Sequence, residues 1–146
     1  MYTFSLQKVL EYRKKQEELA QLRLAGALKE RDHARQVMEQ VQDALSRCQE
    51  EYTGLQAPEV DLPRLLMASE LAGVLADRLS HSRQELQEKE AGLRREQHRT
   101  EKAMQDRKII DRLREKAEQQ YLQQEQRKEQ RQLDELAQTV FLRTRR

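Results

Sequence analysis

The side chains that could hold a metal or act as a nucleophile are few: His33, His81, His98 and Cys48. No two histidines stand four apart, the spacing by which one helix face presents a pair of ligands, and a single thiol completes neither a disulfide nor a zinc knuckle. The chain has no GxxxxGK[ST] loop, no nucleophile elbow and no glycine-rich dinucleotide turn. These residues predict no catalytic residue, no metal and no cofactor. One unpaired cysteine also suits a reducing, cytoplasmic setting.

Charge is the remaining chemistry. Lys and Arg number 28 and Asp and Glu 26, but residues 1–53 balance, residues 54–93 are acidic and residues 94–146 carry fifteen basic against ten acidic side chains. A phosphate-binding surface needs basic residues in an uninterrupted patch, and single-stranded nucleic acid also needs aromatic platforms. Here acidic residues interrupt the arginines and aromatics make up only 4%, so nucleic acid is not an expected partner. No apolar run approaches the ~18 residues of a membrane span, and Met1–Leu10 lacks the apolar core of a secretory leader. Direct membrane insertion is not expected either.

The elements behind these residues follow from composition and periodicity. With 37% charged residues, no tryptophan and two prolines, the chain is suited to long helices or to disorder. Leu6 and every seventh residue after it form one column (Arg13, Ala20, Ala27, Ala34, Val41, Cys48, Leu55). Leu10 and its successors form a second (Glu17, Leu24, Arg31, Met38, Leu45, Tyr52). Twelve of these fifteen sites are apolar, which is the seam of a coiled coil. Gly54–Pro63 holds both prolines and breaks the helix. Beyond it Asp61 is a predicted N-cap, as Thr3 or Ser5 is for the first helix.

A second seam runs through Leu65, Ala68, Ala72, Leu75, Leu79, Leu86 and Leu93. It weakens at Ser82, Lys89, Glu96, Thr100 and Arg107 and resumes through Ala103, Ile110, Leu113, Ala117 and Tyr121. The predicted fold is all-α: one coiled-coil domain over residues 1–146, built as an antiparallel hairpin. Helix 1 covers about 4–54, the hinge 54–63 and a longer helix 2 about 62–142. Folding near residue 58 places Tyr52 by Leu65, Leu24 by Leu93 and Leu6 by Ile110 or Asp111, so Arg114–Arg146 overhangs. In that overhang Leu133, Leu136, Val140 and Phe141 share one face and have no partner helix, which marks a binding surface. Arg13, Glu17 and Arg31 interrupt the first seam. Their long side chains are expected to reach solvent, with register setting as the alternative.

Three stretches resemble the FliJ family of the bacterial flagellar type III export apparatus. FSLQKVLEYRKKQEELAQ is similar to the family's Phe-x-Leu-x-x-Val-Leu-x-x-Arg opening. Glu51 and Tyr52 precede the hinge as the family's central pair does, and QLDELAQTVFLR resembles its closing signature with a basic tail. The resemblance implies a stalk similar to the gamma subunit of rotary ATPases, with both chain ends inside a hexameric export ATPase. On this sequence it implies ATPase contacts at Phe4, Leu6, Leu10, Arg13, Leu133, Asp134, Leu136, Ala137 and Phe141.

It further implies contact with the cytoplasmic domain of the membrane export gate at Leu45, Tyr52, Leu71 and Leu75. At Cys48, Arg78 and Ser82 the chain departs from the tyrosine, small and histidine residues of that pattern. Export chaperones are further implied partners, and the implied location is cytoplasmic, at the inner face of the membrane. A free-standing escort of export substrates, or the equivalent stalk of a virulence secretion system, is the alternative role.

Overall fold

The recurrent leucines and alanines become the inward face of two packed helices. A computed structural model describes residues 2–55, 59 and 61–145, in which α1 spans Gln7–Gly54 and α2 spans Leu62–Thr144. The described residues contain no strand. Gln56, Ala57, Pro58 and Val60 of the expected hinge lie outside them. The expectation of an all-α hairpin with a longer second helix is met.

Both helix starts are instructive. Asp61 caps α2 as predicted: its Oδ1 accepts from the Arg64 N–H at 3.5 Å and its carbonyl accepts from the Leu65 N–H at 3.0 Å. Pro63 sits in the first turn, where its missing N–H costs nothing. The start of α1 differs from expectation. It begins at Gln7 rather than near Phe4, and the Gln7 N–H donates to the Phe4 carbonyl at 3.1 Å. Neither Thr3 nor Ser5 has a side-chain hydrogen bond to the helix among the described residues, so a backbone turn replaces the predicted cap.

The contacts gather into two compact units, Leu19–Glu101 and Met1–Glu18 with Lys102–Arg146. In Leu19–Glu101 the helices run antiparallel, with Cys48 meeting Ala68, Glu30 meeting Lys89 and Ala20 meeting Thr100. Ala20, Ala34, Cys48, Leu79 and Leu93 are buried, and so is Ser82. The small Ala20, Ala27 and Ala34 allow the helices to pack closely. The Cys48 thiol points at the Ala68 carbonyl, 3.3 Å away. Lys89 departs from the expected seam: it is exposed and reaches across to Glu30 at 3.0 Å. An exposed pair of this kind contributes about 0–1 kcal/mol.

The other unit has a more polar seam. Among its described residues Leu10 is the one fully buried large side chain. Around it Arg13 pairs with Asp106 at 3.4 Å, and Arg107 pairs with Glu17 across the helices and with Asp111 at 2.6 Å on its own helix. Glu17, and then Asp111, hold the Arg107 guanidinium above its ordinary value, so it stays cationic. The Glu17 side chain is mostly withdrawn from solvent, whereas that of Arg13 stays 40% exposed. Both find partners on α2, which corrects the expectation of solvent for Glu17 and meets it only in part for Arg13. Arg31, in Leu19–Glu101, pairs with Asp32 beside it at 2.8 Å.

Two further expectations shift in this unit. The Tyr2 and Tyr121 rings meet with centroids 4.9 Å apart, so Leu6 falls opposite the stretch between Leu113 and Ala117 and not opposite Ile110 or Asp111. Pairing consequently continues past Arg114, which is half-buried, and residues 126–145 are the exposed ones. Leu113 is 44% exposed. The column counted in sevens from Leu65 places Arg114, not Leu113, on the seam.

Candidate functional site

The C-terminal part of α2 presents the clearest surface. Leu133, Leu136, Val140 and Phe141 recur at spacings of three, four and one, so one side of the helix carries all four, and each is well over half exposed. Asp134 and Ala137 of the same stretch are exposed too. Charge borders the apolar face. The Arg145 guanidinium lies 5.2 Å from the Phe141 ring centroid, and the Asp134 carboxylate accepts from the Gln130 amide at 3.1 Å. The Lys128 ammonium, donating to Glu125 at 2.9 Å, is held above its ordinary value by that bond.

At the N-terminal end of the same unit the residues named from sequence divide. Phe4 is half-buried and Leu6 is 36% exposed, so both offer some surface. Leu10 is buried against α2, and Arg13 is engaged with Asp106. Both hold the helices together; Leu10 presents nothing to a partner while the pair is closed, and Arg13 keeps 40% of its side chain exposed. Val9 and Tyr12 are exposed apolar residues that sequence reasoning passed over. The signal was present but inverted: both stand off the heptad columns, where an apolar side chain has no inward use.

In Leu19–Glu101, Leu45, Tyr52 and Leu75 are half-buried and Leu71 is 50% exposed. Leu71 lines a groove of about 600 Å³ together with Cys48, Glu51, Leu55, Met67 and Ala68. Of the three departures from the family pattern, Cys48 and Ser82 are buried in the seam and Arg78 is exposed. Leu62, Leu66, Met67 and Val74, also exposed on the first turns of α2, were not singled out from sequence.

These are open helix faces. They can bury apolar area against a partner, but they hold no reactive group in a water-excluding cleft. Among the described residues no three His, Cys, Asp or Glu side chains converge as metal ligands, and no helix is long and apolar enough to cross a membrane.

Comparison with known proteins identifies a family. The family model of the flagellar FliJ protein matches residues 2–146, essentially the whole chain. No curated protein and no solved structure matches.

Proposed function

Because the chain belongs to the FliJ family of flagellar proteins, which gives it a stalk- or chaperone-type role in flagellar export, we propose that it is the stalk of the export ATPase. In this reading the helix end bearing Leu133, Leu136, Ala137, Val140 and Phe141, with Phe4 and Leu6, enters the hexameric ATPase ring. Asp134 and the basic tail orient it there. The observation that carries the reading is the exposed apolar face of residues 133–141, on a stretch of α2 that no part of α1 covers among the described residues.

The mechanism is one of differential contact. An asymmetric helix pair inside a ring of identical subunits touches them unequally, so it stabilises some ring conformations over others. Assembly and turnover of the ATPase rise without any catalytic residue from this chain. The groove at Leu71 and the apolar side chains around it are assigned to the cytoplasmic domain of the export gate, which places the protein in the cytoplasm at the membrane's inner face.

A deletion tests the reading. Removing residues 133–146 is expected to abolish binding to the export ATPase and stimulation of phosphate release, with the helix content of the remaining chain retained. Undiminished binding would overturn the stalk role. The exposed Leu62, Leu66, Met67 and Val74 favour a second reading, an escort that holds export substrates or their chaperones. Capture of unfolded substrate with ATPase assembly unaltered would decide for that reading.

A further inference from the structure

We propose that residues 2–18 form an arm that an ionic clamp holds against α2 and that rising ionic strength releases. The seam of the unit Met1–Glu18 with Lys102–Arg146 carries Arg13, Glu17, Arg107 and Arg114 at column positions. In Leu19–Glu101 the same columns carry polar residues too (Arg31, Ser82, Lys89, Glu96 and Thr100), but Ala20, Ala34, Cys48, Leu79 and Leu93 are buried between them, and the cross-helix pairs Glu30–Lys89 and Arg35–Glu90 lie at the exposed rim. The two units therefore differ in the balance of forces that closes them. Apolar burial dominates in Leu19–Glu101, and in the other unit Leu10 is supplemented by Arg13–Asp106 and by the Glu17–Arg107–Asp111 triad.

Four features make the pinned segment the weaker one. Polar groups at seam positions set register at the expense of stability, and ion pairs withdrawn from water gain little net energy over apolar packing. Leu10 is the only large side chain of the arm that is fully buried, while Leu6 and Val9 remain 36% and 38% exposed. Two polar atoms in this unit, Arg114 Nε and the Tyr2 hydroxyl, are buried with no hydrogen-bond partner, a cost that opening relieves. Finally, α1 starts without an acidic residue in its first turn, and Lys8 stands there against the helix dipole.

Salt acts on this segment selectively. The screening length falls from about 10 Å at 0.1 M to about 3 Å at 1 M, which weakens the partly exposed Arg13–Asp106 pair most and the more buried Glu17–Arg107 pair less, and leaves apolar contacts in place. Once free, Gln7–Glu18 keeps its own backbone bonds but loses the packing that supplies most of a helix's stability, so the arm frays from its N-terminal end as it leaves. Its departure uncovers Leu10 on one side and Ile110, Ala117 and Tyr121 on the other. The end of the protein that carries Phe4 and Leu6 thus has a closed form and an open form.

Amide hydrogen exchange on the full-length chain at about 50 mM and about 1 M NaCl tests the clamp. Residues 8–18 are expected to exchange about tenfold faster at high salt, a change of about 1.4 kcal/mol, with residues 24–48 as the internal standard that moves less than about twofold. The double variant Glu17→Leu/Arg107→Leu, which leaves Arg13–Asp106 in place, is expected to reduce this salt response and to exchange more slowly at low salt. A response equal in both segments, or one undiminished in the double variant, overturns the proposal. Should that variant not fold, Arg13→Leu/Asp106→Leu serves instead: a reduced response supports the clamp and an unchanged one refutes it.

Discussion

Replacing Phe141 or Leu136 by alanine separates the proposed binding surface from the structural seam. The two side chains are 58% and 63% exposed, so folding has already drawn on less than half of their burial. Full burial of a large apolar side chain is worth about 1.5–3 kcal/mol. The part still exposed therefore offers about 1–2 kcal/mol to a partner, by the same area scale. At about 1.4 kcal/mol per decade, each substitution weakens binding to the export ATPase by about 5- to 30-fold. The double variant weakens it further, without strict additivity. Because neither side chain packs on α1 among the described residues, thermal unfolding shifts by less than about 0.5 kcal/mol.

The matched control is Leu22→Ala on α1. Leu22 is 70% exposed, so the substitution removes the same chemistry from a surface with no assigned partner. Calorimetric titration into the ATPase hexamer measures the affinities, and circular dichroism melts measure the stabilities. Wild-type affinity in both Phe141→Ala and Leu136→Ala would refute the assignment. An equal loss in Leu22→Ala would reduce the interaction to unspecific adhesion.

The seam and the groove give further expectations. Leu79→Ala or Leu93→Ala should destabilise the chain by about 2–3 kcal/mol in denaturant unfolding, toward the low end for buried leucines because two helices can collapse onto the space. A loss below 0.5 kcal/mol, on the order of a surface change, would contradict the seam. Cys48 should react with a thiol reagent far more slowly in the folded protein than in denaturant, since its sulfur is covered and directed at the Ala68 carbonyl; equal rates would show that the helix pair opens there. Leu71→Asp puts a charge in the groove beside Met67 and Ala68. It should weaken binding to the gate's cytoplasmic domain and spare ATPase binding, and loss of both would refute the division of surfaces.

How far the site was legible depended on the kind of residue. Leu133, Leu136, Val140 and Phe141 could be picked out because the first helix is too short to reach them, and their exposure agrees. Leu10 and Arg13 could not be sorted from Phe4 and Leu6, since an opening motif does not say which of its members face inward. Val9, Tyr12, Leu62 and Met67 were missed for a related reason. Counting in sevens finds the residues that serve the pairing and is silent on apolar residues beside them.

The sequence by itself determined the helices, their antiparallel pairing and most of the seam. Those depend on local periodicity, on the break at Gly54–Pro63 and on the capping aspartate, all of which are read within a few turns of chain. Only the tertiary structure decided what the polar residues on the seam do and where the free end of α2 begins. Arg13 and Glu17 can pin α1 only because Asp106 and Arg107, more than 80 residues later, stand opposite them. Their register is set by how side chains of both helices interlock, and a shift of one turn would have sent the same residues into water. The same interlocking carries the pairing to Tyr121 and leaves the last turns of α2, with Phe141, uncovered.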